Sequence, residues 1–338
     1  MKTGLIILLL LLFPLSMVSA PSQPNSEKII VAVTSPALSS IVSMIGGERV
    51  LVKSLIPPGA DPHHYEPSET DILYSVSDAK LIVMTGPHHL LIEDKIEELR
   101  KRGLIKSKIV NYKDYQKNGF VFLTNPKTES INPHGYFFSV NATKTIALTI
   151  YNALIDIDPS DKKYFKMRHE SFMSLLDQIS TELSSFRKKN IKALLLSPIL
   201  QYVANDLGIK IVDIVLSEYD IEPTERDISC ALSYIREGKV DLILVSDMEA
   251  SRLKKMIDVL KQNNAYVVVT PVFEYKKNPY LAPLITASVI ESSLSGSREK
   301  PGNSLNIWEN YLLLSSFLLN IILVVILLSL YLKVRGYE

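Results

Sequence analysis

The sequence predicts an α/β protein of two Rossmann-like lobes, each with a mainly parallel four-stranded sheet, joined by one long rigid helix and followed by a C-terminal transmembrane helix. Three observations predict it. Short apolar, β-branched runs alternate with helical stretches along most of the chain. A stretch of helical periodicity, largely free of glycine, separates two groups of such runs. A charge-free apolar segment lies near the C-terminus.

The first group of strands is Lys28–Val33, Val50–Leu55, Leu81–Met84 and Ile109–Tyr112. The second is Ala193–Leu196, Ile209–Val215, Leu242–Val245 and Tyr266–Val269. Strands separated by helices pair in parallel, because a crossover returns the chain to the same edge. Residues 27–143 and 191–292 are therefore read as the two lobes and 144–190 as a helical connector, broken at Asp158-Pro159-Ser160. From Ser160 onward Tyr164, Met167, Phe172, Leu175, Leu176, Ile179, Leu183 and Phe186 share one face of a helix of roughly 28 residues.

Both ends carry membrane signals. Residues 1–20 read as a signal peptide: Lys2, the apolar run Leu5–Phe13 and the small residues Ser19 and Ala20. Pro21 makes Ser22 a second candidate cleavage position. Residues 311–332 are roughly 22 uncharged positions, which at about 1.5 Å per residue cross a hydrocarbon core of about 30 Å. Trp308 and Tyr311 sit at an outer interface, and Lys333 and Arg335 follow the span. The positive-inside rule then leaves 333–338 as a cytoplasmic tail and the lobes on the extracellular face of the cell membrane, held by a single pass. Residues 293–310, rich in Ser, Gly, Pro and charge, read as the linker.

Charge is balanced, 37 Lys and Arg against 36 Asp and Glu, so no basic surface points to nucleic acid. The single cysteine excludes an intrachain disulfide and a cysteine zinc site. Cys230 stands among Ile228, Ala231, Leu232 and Ile235 and reads as a small buried core residue. Thr224 reads as a helix N-cap, and Asn141-Ala142-Thr143, formally a glycosylation acceptor, as a helix start.

Four of the six histidines form adjacent pairs. His63-His64 lies in PPGADPHHYEPSETD, residues 57–71, after the strand Val50–Leu55, where ligands of open α/β sheets bind. Neutral imidazole suits divalent first-row metals. Neighbouring histidines seldom chelate one ion, so His63 or His64 is expected, not both. Ser68 caps the helix that follows. His134 stands in NPHGY, on a loop restrained by Pro133. His88-His89 follows the strand Leu81–Met84, and His169 reads as a surface residue of the connector.

PPGADPHHYEPSETD resembles the first metal loop of the TroA-type (cluster A-I) zinc and manganese solute-binding proteins, Pro-x-Gly-x-Asp-Pro-His-x-Tyr-Glu-Pro-x-x-x-Asp. Pro58, Gly59, Asp61, Pro62, His63, Tyr65, Glu66, Pro67 and Asp71 are in register. NPHGYFFSVNATK resembles the second loop, with Asn132 in place of the usual Asp. The resemblance runs from about Lys28 to Ser292. It implies His63 and His134 as metal ligands, a divalent Zn or Mn ion as the bound species with no organic cofactor, and an ABC permease with its ATPase as partner. It implies a binding protein, not an enzyme. The sequence likewise holds no His-Glu-x-x-His and no Gly-x-Ser-x-Gly.

The second lobe departs from the family pattern. Ser197 stands where the family has His or Glu, Thr270 where it has Asp, and Ser246 where it has Glu. Three explanations remain open. In the first, replacement ligands come from Glu274, Glu218, Glu222, Asp247 or His64; in the second, Ser197 and Thr270 with water complete a weaker site; in the third, the pocket holds a chelate or other ligand, in a degenerate member that serves as a surface sensor or adhesin.

Overall fold

The structure, a computed structural model, describes residues 27–57, 60, 63–86, 90–218, 220–272 and 277–296. The expected signal peptide, linker, span and tail lie outside them, as do His88, His89 and Glu274. Among the described residues no helix is long and apolar enough to cross a membrane.

All eight expected strands form, within about two residues at each end. The first sheet holds β1 (Ile29–Val33), β2 (Val50–Ser54), β3 (Leu81–Val83) and β4 (Lys108–Val110) in the order β2-β1-β3-β4. The second holds β5 (Lys192–Leu195), β6 (Lys210–Ile214), β7 (Leu242–Ser246) and β8 (Val267–Thr270) in the order β6-β5-β7-β8. Every pairing is parallel. In each sheet the chain steps outward from the first strand to the second, then crosses back to the third. The two connections diverge at the first and third strands, which creates a crevice at their C-terminal ends.

Period-two alternation assigns the two faces of each sheet. Val31, Val33, Leu81 and Val83 face the main core, while Ala32, Ile82 and Met84 face a smaller cluster under α2 (Glu69–Val76) and α3 (Leu91–Lys101). Likewise Ala193, Leu195, Leu242 and Leu244 face the main core, and Leu194, Leu196, Ile243 and Val245 face a cluster under α8 (Glu225–Arg236) and α10 (Lys254–Gln262). The main core is continuous between lobes. It takes in α1 (Pro36–Gly46), α5 (Val140–Ile157), α6 (Lys162–Arg187), α7 (Gln201–Asp206) and α11 (Ala282–Gly296). The short helices α4 (Tyr112–Lys117) and α9 (Asp247–Ala250) complete the chain.

The connector holds two helices. α5 begins at Val140, ahead of the expected connector, and packs against α1, α4 and the strands β3 and β4 of the first lobe. A tight turn at Pro159–Asp161, capped by the Asp158 carboxylate, then starts α6, the 26-residue helix that links the lobes. Its buried stripe is Phe165, Phe172, Leu176, Ile179, Leu183 and Phe186, so Phe165 takes the inward place expected of Tyr164. Tyr164 stays half-buried because its hydroxyl accepts the Glu48 amide at 3.0 Å.

Three local expectations change. Cys230 is exposed: α8 is amphipathic with Ala231 as its one buried residue, and the next position along lies about 100° round the helix. His169 is half-buried, stacked on Tyr151 of α5 at 4.8 Å between ring centroids, because α5 lies along α6. The fourth strand ends at Val110, because Asn111 caps α4 with a capping box and Tyr112 is already helical. Ser68 and Thr224 cap α2 and α8 as expected.

Candidate metal site

The candidate ligands arrive on loops at the C-terminal ends of the strands, where side chains reach a common space without leaving the sheet. His63 follows β2 on the proline-rich loop before α2 and is half-buried; His64 beside it is exposed. His134 lies on the loop before α5. Its ring centroid is 5.9 Å from that of His63, so the structure brings the two expected histidines together from distant parts of the chain.

The His134 loop is held by the second lobe. Asn132 is buried, and its side-chain amide donates to the Pro198 carbonyl at 2.9 Å and to Gln201 Oε1 at 2.8 Å. Its Oδ1 accepts the His134 amide at 2.9 Å. Asn132 thus retains the loop-bracing acceptor that an Asp would offer, and adds a donor. Tyr202 donates to the Asn132 carbonyl at 2.7 Å and accepts the Leu123 amide at 2.9 Å. Gly135 has φ 70°, and a Cβ there would stand 2.1 Å from the Ile199 carbonyl oxygen, so only glycine lets the loop lie this close. Past it, the buried Asp206 of α7 accepts the Val140 amide at 2.6 Å, Ser139 Oγ at 3.1 Å and Asn141 Nδ2 at 2.9 Å. Burial raises the Asp206 pKa, and these donors and Arg187 oppose the rise. Asn141 therefore ties the lobes together, and Ser139 is the cap of α5.

Of the expected replacement ligands, Glu218 is brought to His134. Its Oε2 lies 2.5 Å from His134 Nε2. An ion held by both at about 2.0–2.2 Å in tetrahedral geometry would take the place of this contact and move the two atoms apart by about 0.9 Å. Glu222 points away, its side chain 73% exposed and 3.8 Å from Arg252. Asp247 opens α9 and accepts the Met248 amide. Ser197 is buried and caps the turn at Pro198, accepting the Ile199 amide at 3.5 Å. Thr270 is fully buried and donates to the Val245 carbonyl at 3.4 Å. Both hydroxyls are thus engaged in local structure. Among the described residues, no three His, Cys, Asp or Glu groups stand close enough to enclose an ion.

Two buried glutamates at the strand ends were not singled out from the sequence. Glu93 of α3 accepts from Thr34 Oγ1, from the Thr85 amide and hydroxyl at 2.6 and 2.9 Å, and from the Gly86 amide. Burial raises its pKa against these donors. Glu249 of α9 accepts the Ser246 hydroxyl at 2.7 Å on Oε2. Burial raises its pKa as well, opposed by Ser197, Ser246 and Arg252. The signal was present as Ser246-x-x-Glu249, a capping-box spacing after a strand.

Comparison with known proteins gives the same direction. The family model described as zinc-uptake complex component A, periplasmic (ZnuA) matches residues 31–284. The manganese ABC transporter substrate-binding lipoprotein PsaA of Streptococcus pneumoniae is 25% identical over 251 residues, 70% of this chain and 77% of that one. A protein of Treponema pallidum (strain Nichols) named for metal binding is 28% identical over 176 residues; that alignment spans 49% of this chain and about half, 55%, of the relative. Among solved structures, the SBP FpvC of P. aeruginosa in complex with Ni2+ superposes with a TM-score of 0.64 at 19% identity, covering 79% of this chain and 98% of that one, a likeness of fold.

Proposed function

The chain belongs to the family of zinc-uptake complex component A, and from that premise we propose that it is the extracytoplasmic substrate-binding component of an ABC importer. It captures a divalent transition metal, zinc or manganese, between its lobes and delivers it to a permease driven by its ATPase. The observation that carries this reading is the meeting of His63 and His134, with Glu218 of the second lobe on His134 Nε2. Two imidazoles and a carboxylate from both sides of a cleft suit a borderline divalent cation, and the ion is cargo, not a resident cofactor. Residues 311–332 would tether the lobes to the outer face of the cell membrane by a single pass, close to the permease. The lobes are assigned to 27–143 and 191–292.

A second reading is favoured by Ser197 and Thr270, whose hydroxyls are buried at positions where the family resemblance implies ligands. Under it the pocket takes a metal chelate or another ligand, and the chain senses or adheres. Metal titration of the full-length chain in detergent, with elemental analysis, separates the two. One equivalent of Zn2+ or Mn2+ is expected, with affinity at least about 100-fold weaker in the double variant His63→Ala, His134→Ala. Binding no stronger than that variant's background would remove the free-metal reading in favour of the second.

A further inference from the structure

The two sheets share one topology, and each places a glutamate in the helix after its third strand, at the crevice between first and third strands. The pair are Glu93, after β3, and Glu249, after β7. Open α/β sheets bind ligands at this crevice. The two carboxylates are in opposite conditions. In the first lobe both oxygens of Glu93 are taken, Oε1 by Thr34 and Thr85 and Oε2 by the Gly86 amide. That crevice is closed by its own donors.

In the second lobe Glu249 is 1% exposed, and its Oε2 takes the Ser246 hydroxyl. Its Oε1 is buried and makes no hydrogen bond of ordinary geometry, although the Ser197 hydroxyl also acts on the carboxylate. Arg252 Nη2 is the near cation, at 4.0 Å, beyond hydrogen-bond distance. A buried carboxylate oxygen without a well-formed hydrogen bond is costly, and such a group in a native fold calls for an explanation, an absent ion among them. A capping role for Glu249 accounts for Oε2 alone.

The surroundings point the same way. Ser246 pairs in register with Thr270, so a second hydroxyl stands at the strand end to which Glu249 is bonded. Ser197 joins them at the end of β5 and leads directly to Pro198, whose carbonyl holds Asn132 and, through it, the His134 loop. Glu249 stands three positions after the strand end at Ser246, in the first turn of α9, and reaches back to it.

We infer that Glu249 is the carboxylate through which the second lobe binds the divalent cation, joining His63, His134 and Glu218. The inference rests on the metal-capture reading above. Since no three of these groups enclose an ion in this structure, loading requires the Glu249 side chain to leave Ser246 and turn toward His134, about its three side-chain torsions. The resulting donor set, two imidazoles and two carboxylates, meets the four ligands that a zinc site needs and offers the oxygen donors that manganese favours.

The test is Glu249→Gln in the full-length chain, titrated with Mn2+ and with Zn2+. Glutamine preserves size and can still accept from Ser246, so the metal-free melting temperature is expected to stay within about 3 °C of the parent. Affinity for the metal is expected to fall at least about tenfold. Parent-like affinity in the variant, with the parent binding one equivalent, overturns this inference and leaves the metal-capture reading standing. No binding by the parent overturns both. Should the variant not fold, the crystal structure of the Mn2+-loaded parent decides: a Glu249 oxygen within about 2.3 Å of the ion is expected, and an ion without one overturns the inference.

Discussion

Gly135 shows how much one residue can carry. It sits beside His134 in a left-handed conformation and against the Ile199 carbonyl, so its missing side chain sets the distance between the ligand loop and the second lobe. Gly135→Ala is expected to cost at least about 2 kcal/mol in urea denaturation, from the left-handed backbone and from the displaced carbonyl together. A loss below about 0.5 kcal/mol would show the loop to be free of that lobe. At this scale the sequence disclosed the histidines, because proline-rich strings around them are distinctive. It hid Glu249, whose place depends on how a strand turns into a four-residue helix, and it hid the second role of Asn132, since its donor partner Pro198 lies far along the chain.

The elements were legible where burial imposes a period. Strands buried on both faces read as unbroken apolar runs, and all eight appeared near their expected positions. Reading failed where one residue decides between faces, as at Cys230, or where a neighbouring helix covers a position, as at His169. The pairing of α5 with α6 leaves His169 Nε2 buried without a hydrogen-bond partner, and burial lowers the imidazole pKa below its ordinary value of 6.5. The neutral ring is the form the fold accepts. Its contribution to stability is therefore present above that ordinary value and is lost as pH falls through the depressed one. His169→Phe keeps the stack on Tyr151 and removes both the orphan nitrogen and the titration. It is expected to raise the melting temperature at pH 7.5 and to raise it further at pH 5.5. An equal gain at both values would show that His169 does not titrate in the fold.

Across the whole molecule, the lobes are joined by more than α6. The bonds made by Asn132, Tyr202 and Asp206, and a main core that runs without interruption from β1 to α11, leave little freedom for a hinge. Metal loading is expected to proceed by side-chain and loop movement. Small-angle scattering of free and loaded protein should give radii of gyration within about 0.5 Å of each other, and a contraction beyond about 1 Å would show domain closure instead. The two-lobe plan was readable from the order of strands, but this fusion was not, because it is made by contacts between residues remote in the chain.

The shared core also bears on how the protein is made. Ala287 and Ile290 of α11 complete a cluster that opens with Ile29 of β1, and α11 packs on α6, α7 and β8. A chain made vectorially can pair β1 with β2 early, yet it cannot seal its interior until the last described helix has been made. The nascent first lobe would spend most of its synthesis with one face of its sheet uncovered, exposed to chaperones and proteases, and folding would finish as a late, cooperative event.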